Sequence, residues 1–461
     1  MLLYPLVMAF GPSAGGLRVG LDARAASPLM SEGARRKVVI TGMGALTSLG
    51  KDPDTIFDNL LDGKCGIGRL TRFNPDDYPS VPQIASEVAD FDVTKYWTRP
   101  EGRPDGVGFD PDKYDRYTHF AIAASLQCLR DAKLDPASIE SPYRFGCNVA
   151  SGAGGIGKLE ANCEALFTSG ESAVSGPDAL GVSNTASQMV AMEVGARGPN
   201  GNYVSACASG THALGEAFRS IAYDEADVML AGGTEACITP LTIAGFNSMR
   251  AMCTTANDSP QTASRPFDAD RCGFVMGEGA GVLLLESEEH ALARGAKIYC
   301  ELAGYAANCD AFHITAPHPE GEGMSACLLG ALRSAEMPPE SVGYINAHGT
   351  STPLNDKFET LAYKVAFKDH APKIKISSTK GAIGHLLGAA GGVEAAVCCK
   401  VLEKQQVPPT INYNTPDPDC DLDYVPNVKY VPEEPIEVAM SDNLGFGGHN
   451  AALVFKRYTP K

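Results

Sequence analysis

Apolar residues in this chain fall in short unbroken runs separated by longer amphipathic stretches. The first run is Lys37 to Gly44, which predicts a buried strand closed by glycine. Similar runs lie at Phe145 to Ala150, Asp227 to Ala231, Val282 to Glu286, Gly343 to Ala347, Lys375 to Ser378 and Ala451 to Phe455. Helical periodicity sits between several of them, at Tyr117 to Asp131, Ala213 to Tyr223 and Ser325 to Ser334. Strands that are apolar throughout, not alternating, are covered on both faces, and the intervening helices supply the cover. The class predicted is α/β. One stretch breaks the pattern: Trp97 to Asp115 carries Pro100, Pro104, Pro111 and several glycines. It predicts a long surface loop, either functional or a disordered insertion.

Composition narrows the function more than the fold. The chain has 461 residues, 44% apolar and 20% charged, enough for a large core in roughly two to four structural units. A formal charge of −17 argues against nucleic acid as the main partner, because phosphate binding needs a basic footprint. A local basic patch could still receive an acidic protein. No apolar run reaches the ~18 residues needed to cross a bilayer, so no membrane association is expected. The 14 cysteines are scattered without C-x-x-C spacing, which argues against zinc and predicts reduced core thiols in a reducing compartment. Residues 1–36 read as an extension outside the fold. Arg18, Arg24, Arg35 and Arg36 against Asp22 and Glu32 fit an organellar transit peptide, and a disordered extension fits equally.

Four segments carry candidate chemistry. In Tyr203-Val204-Ser205-Ala206-Cys207-Ala208-Ser209-Gly210, a short β-favouring run, a knot of tiny residues and a helix predict a strand-to-helix turn. That turn exposes Cys207 at the positive end of a helix, which favours its thiolate; a small buried thiol is the bland alternative. Asn346-Ala347-His348-Gly349-Thr350-Ser351-Thr352 sets a histidine directly after a buried strand. Lys380-Gly381-Ala382-Ile383-Gly384-His385 opens a glycine-dense helix, whose propensity cost of about 1 kcal/mol per glycine requires compensation by packing or function. Asn443-Leu444-Gly445-Phe446-Gly447-Gly448-His449 is a glycine turn with one aromatic.

Two other readings compete. Gly152-Ala153-Gly154-Gly155-Ile156-Gly157 satisfies a dinucleotide fingerprint, but no βαβ unit with an acidic strand end follows at the required distance. The spacing of Cys207 and His348 matches papain-like proteases, but the flank of Cys207 lacks their tryptophan-bearing signature.

Taken together, the four segments resemble the β-ketoacyl acyl-carrier-protein synthases, from Val38 to about Phe455. The likeness is greatest to the elongating type II enzymes, the mitochondrial form included, on Gly273-Phe274-Val275-Met276-Gly277-Glu278-Gly279 and His313-Ile314-Thr315-Ala316-Pro317. The resemblance implies a thiolase-like fold: two similar βαβαβαβ halves, at 37–290 and 296–461, in five α-β-α-β-α layers. It implies a homodimer, no cofactor or metal, and an acyl carrier protein bringing acyl and malonyl groups as partner. Cys207 becomes the acyl-accepting nucleophile, His348 and His385 the catalytic pair, Lys380 their support and Phe446 a mobile gate. Thr350 and Thr352 would hold the pantetheine arm, while Phe246 and a small Ala153 would border an acyl pocket suited to medium or long chains. Glu394 would help Lys380 orient His385, and Asn346 with Glu394 would border a monovalent cation. A catalytically dead partner subunit, a thiolase and a starter synthase are disfavoured by Cys207 with two histidines.

The chain also departs from that family. His449 stands where threonine is usual, Cys272 where aspartate is usual, and the 97–115 loop is long. Gly170 to Val174 lacks basic residues for a carrier protein, which leaves Arg250 as the better contact. A mitochondrial address is expected, with plastid or cytoplasm as alternatives.

Overall fold

The computed structural model describes residues 35–104 and 106–459, so the expected extension lies outside the described residues as far as residue 34. Nine strands make one mixed sheet: β1 (Val38–Leu46), β2 (Phe145–Ala150), β3 (Val228–Glu235), β4 (Gly279–Ser287), β5 (Cys300–Cys309), β6 (Tyr344–Asn346), β7 (Lys375–Ser377), β8 (Val438–Gly445) and β9 (His449–Arg457). Their spatial order is β2-β3-β4-β1-β5-β9-β8-β6-β7. This order contains a repeat. β2 pairs parallel with β3, which pairs antiparallel with β4, which pairs antiparallel with β1. The same sequence of pairings runs through β6, β8, β9 and β5, with β7 added at the outer edge. The two halves meet where β1 lies antiparallel to β5, Val38 opposite Leu302.

Helices complete the layers. α1 (Arg116–Asp131) and α2 (Thr185–Val194) cover the outer face of the first half. α4 (Glu322–Ser334) and α5 (Pro353–Phe367) cover that of the second. α3 (Ser209–Ala222) and α6 (Ala390–Lys404) pack against each other between the two half-sheets, in the largest apolar cluster. The strands are therefore sealed on both faces, as their continuous apolar runs require. The glycines near the start of α6 are explained by close approach: a Cβ on Gly392 would lie 2.1 Å from the Gly281 carbonyl oxygen of β4. No described helix is long and apolar enough to cross a membrane.

Four local expectations change. The segment before Cys207 forms no strand; its backbone meets β2 at one bridge, Cys147 to Asn200. The loop from Trp97 is pinned at its base. Glu193 accepts from Trp97 Nε1 at 2.7 Å and from the Phe109 amide at 2.8 Å, and it pairs with Arg103. Phe109 is buried edge-on against Trp97. The cysteines are not all free, since Cys253 and Cys272 form a disulfide with Cα atoms 5.0 Å apart. Arg36, grouped by composition with the extension, pairs with Asp224 at 2.7 Å and Asp227 at 2.8 Å.

Candidate active site

Three loops bring the predicted chemistry together. Cys207 sits in a 3₁₀ turn, Ala206–Ala208, immediately before α3. Ala206 adopts φ +51, a left-handed strain that turns the next side chain out of line with the helix. His348 follows β6, and His385 precedes the turn Leu387–Ala389 that leads into α6. The Cys207 Sγ and a ring nitrogen of each histidine all lie within 4.8 Å of one another. The two imidazoles meet edge to face, centroids 5.2 Å apart. A cavity of about 280 Å³ opens onto them, lined also by Phe246, Arg250, Phe274, Thr350, Thr352 and Phe446.

Hydrogen bonds fix the tautomer of both histidines. Asn443 Nδ2 donates to His348 Nδ1 at 3.1 Å, and the Leu387 amide donates to His385 Nδ1 at 3.3 Å. An imidazole that accepts at Nδ1 carries its proton at Nε2. His385 Nε2 is buried without a protein partner, so its N–H is available to a ligand. Asn443 is itself oriented, since Nδ2 also donates to Glu394 Oε2 at 2.8 Å and Oδ1 accepts from Thr211. Glu394 in turn pairs with Lys380, which is 1% exposed. The Lys380–Glu394 pair thus reaches His348 through Asn443. The sequence reading had assigned that support to His385, which is held instead by the amide of its own turn.

Charge states follow from burial. Burial and then the Lys380 ammonium push both histidines well below the ordinary imidazole range, so both are neutral. The expectation for Cys207 is overturned. It does lie at a helix N-terminus, but burial dominates and pushes its thiol up to about 12, with Lys380 and the Phe446 amide opposing. The resting sulfur is a neutral thiol. Two amides, those of Phe446 and of Cys207 itself, face the sulfur.

The other predicted residues occupy distinct positions. Thr350 and Thr352 are joined through their hydroxyls at 3.0 Å on the cavity wall, and Thr352 also caps α5. Phe246 stands between Phe274 and Phe446, with centroids 5.4 and 6.2 Å away. Phe446 precedes Gly447 and Gly448, at φ +90 and +78, a turn that side chains rarely adopt. Ala153 does not line the cavity; it packs behind Cys207 in an apolar cluster with Ile156 and Phe246. Asn346 donates to Tyr344 at 3.1 Å, and its buried Oδ1 has no partner.

Asn443 and Glu359 carry functions that sequence reasoning missed. Glu359 accepts from the amides of His348 at 2.7 Å and Gly349 at 2.8 Å, clasping the histidine loop from α5. Its signal was the i,i+3 spacing of Asp356 and Glu359 on the helix after that loop.

The cluster of Cys207, His348 and His385 has the spacing of a metal site, but its hydrogen bonds do not fit one. Ligation through Nε2 of a neutral imidazole needs a proton at Nδ1, where each ring already faces an N–H donor.

Comparisons with known proteins agree with this geometry. The beta-ketoacyl synthase N-terminal domain family matches residues 35–291 and the C-terminal domain family residues 299–414. A 3-oxoacyl-[acyl-carrier-protein] synthase 2 of Synechocystis is 46% identical over 92% of this chain and 99% of its own length. One of Staphylococcus aureus is 45% identical over the same shares. Among solved structures, a beta-ketoacyl synthase of Burkholderia phymatum covers 92% of this chain and all of its own, with TM-score 0.82 and 32% identity. A type II polyketide acyl-carrier protein in complex with its ketosynthase gives 0.81 and 35%, over 92% of this chain and all of the other. The chain belongs to the β-ketoacyl synthase family.

Proposed function

We propose that this chain catalyses decarboxylative Claisen condensation of an acyl thioester held on Cys207 with a malonyl carrier-protein thioester. The product is a 3-oxoacyl thioester two carbons longer, in fatty acid synthesis. The observation that carries this reading is the pair of neutral imidazoles, each set to donate from Nε2 beside one buried thiol.

Cys207 Sγ attacks the carbonyl of the acyl thioester, and the Cys207 and Phe446 amides receive the developing oxyanion. The C–S bond to the carrier breaks, and the Cys207 proton ends on the departing carrier thiol. The malonyl thioester then enters with its carbonyl oxygen at the two Nε2–H groups. Its C–C bond to the carboxylate breaks, carbon dioxide leaves, and the imidazoles stabilise the enolate without giving up a proton. That nucleophile attacks the Cys207 thioester, and the sulfur leaves as thiolate and regains a proton from solvent. Reconstitution tests the reading: acyl and malonyl carrier together give a 3-oxoacyl carrier, and no such product overturns it.

Three finer points extend the proposal. Arg250, on the cavity wall, is the proposed carrier contact on a chain of net charge −17. A homodimer is proposed because no side chain of the helix Ile156–Ser169 is fully buried and Phe167 on it is 85% exposed; sedimentation as a monomer overturns this. The proposed compartment is the mitochondrion, with plastid and cytoplasm as alternatives. Because Arg36 is engaged by the fold, imaging of a fusion to residues 1–34 is the test.

The monovalent cation expected beside Asn346 and Glu394 would find Asn346 Oδ1 buried and without a partner, but both Glu394 oxygens engaged by Lys380 and Asn443. Asn346, with the equally partnerless Ser441 Oγ opposite it on β8, would hold such an ion, and it would supply positive charge behind the histidine loop.

A further inference from the structure

β3 ends at Glu235, whose carboxylate is completely buried and is held by uncharged donors alone. Oε1 accepts from Ser151 Oγ at 2.7 Å and from the Ala153 amide at 3.3 Å. Oε2 accepts from the amides of Gly152 and Gly388, both at 2.9 Å. These donors come from two separate places. Ser151 to Ala153 form the loop behind Cys207, and Gly388 belongs to the turn after His385.

The turn is strained at the residue that matters. Leu387 has φ +48, and its amide is the one that donates to His385 Nδ1. Consecutive amides therefore point two ways: Leu387 to the imidazole, Gly388 to Glu235. The Gly388 bond ties the turn to the end of β3, alongside the turn's own bond from the Ala389 amide to the Leu386 carbonyl at 3.0 Å. The glycines make room for the arrangement, because a Cβ on Gly388 would lie 2.6 Å from Oε2 and 2.3 Å from the Gly152 nitrogen.

We propose that Glu235 is a positioning residue for the condensation, holding the loop behind Cys207 and the turn that fixes the His385 tautomer in one register. This rests on the condensing reading above. A carboxylate suits the task because it is acceptor-only, with room for four donors. A glutamine would turn its own N–H₂ toward an amide. The cost is a buried charge, and burial pushes the Glu235 carboxyl up to about 7. Once protonated it needs an acceptor. Of its partners only the Ser151 hydroxyl can serve, and that oxygen already receives the Gly154 amide at 2.8 Å.

Other titratable groups face this carboxyl. Burial raises the thiols of Cys207 and Cys237 and lowers His385, so all three are neutral near pH ~7. Beyond Cys237 lie Asp115 and Glu278, the latter paired with Arg116 at 2.9 Å; the Lys380 ammonium is on the Cys207 side. Glu235 is the group poised to titrate there, and its ionised form is the one that holds four donors.

The experiment measures carbon dioxide release from malonyl carrier protein in a Cys207→Ala background, which isolates the histidine step. Adding Glu235→Gln lowers kcat about ten- to a hundredfold with KM within about threefold, the effect of a small misplacement of a catalytic group. Glu235→Asp, which keeps the charge, recovers part of the loss. Ser151→Ala, which removes one donor and raises the carboxyl further, moves the acid limb of the rate–pH profile to higher pH. A folded Glu235→Gln protein with unchanged kcat overturns the proposal. So does a Ser151→Ala acid limb that stays in place, and that variant decides alone if Glu235→Gln does not fold. Absence of carbon dioxide release from the parent protein overturns the condensing reading itself, a failure distinct from either variant result.

Discussion

Asn443 donates from Nδ2 to Nδ1 of His348 at 3.1 Å, and so decides which nitrogen of that ring carries the proton. Because Glu394 and Thr211 hold both ends of the Asn443 amide, it cannot turn over to accept instead. The buried Lys380–Glu394 pair thus acts on the chemistry through a neutral side chain.

Asn443→Asp should reverse this bond. The new carboxylate accepts from Nδ1–H, which moves the His348 proton away from Nε2 and removes one donor to the enolate. Malonyl decarboxylation should fall about 10²- to 10³-fold, as for loss of one oxyanion donor. Acylation of Cys207 should fall far less, and a stopped-flow comparison of the two half-reactions checks the ratio.

Cys207→Ala should abolish condensation yet leave malonyl decarboxylation measurable, because the histidine pair and its supports are intact. Loss of both activities in a folded variant would count against this division of labour.

Lys380→Ala leaves Glu394 buried and unpaired, with an expected loss of about 3–5 kcal/mol in denaturant unfolding. Lys380→Met with Glu394→Gln removes both charges and should recover most of that stability. Activity should not return with it, because the Lys380 field that helps keep both imidazoles neutral is gone.

The buried Glu235 carboxyl gives stability a pH dependence of known sign. Its folded pKa is raised from 4.5 to about 7, so the folded state binds the extra proton between those values. The resulting stabilisation is fully present below pH 4.5 and is lost as pH rises through about 7. Relative to Glu235→Gln, wild type should therefore lose up to about 3 kcal/mol across that window. Urea melts of the two proteins at several pH values measure the difference.

The sequence made the sheet legible wherever strands are apolar: β2 coincides with the run Phe145 to Ala150, and β4 extends the run Val282 to Glu286. It hid β8, which is buried throughout yet carries Ser441, Asp442 and Asn443 at its centre. Those polar residues are there because the strand serves the site, so their pattern conceals the element they sit on. It also hid β5, whose small and half-buried residues show no continuous apolar run. Cys207, His348, His385, Lys380 and Phe446 were legible because each lies in a distinctive local segment. Asn443, Glu359 and Glu235 were not, because their importance lies in partners far along the chain. The Cys207 thiol shows the same limit: the helix start was readable, whereas the burial that outweighs it depends on the assembled loops.

The central claim is that Cys207 stores the acyl chain until a decarboxylated malonyl unit attacks it. Peptide-mapping mass spectrometry after incubation with an acyl carrier thioester, and again after malonyl carrier is added, tests it most directly. The account predicts an acyl mass on the Cys207 peptide alone. That mass should disappear on malonyl addition as a 3-oxoacyl carrier two carbons longer forms. Acyl mass on any other residue, or its release as free acid without elongation, would contradict it.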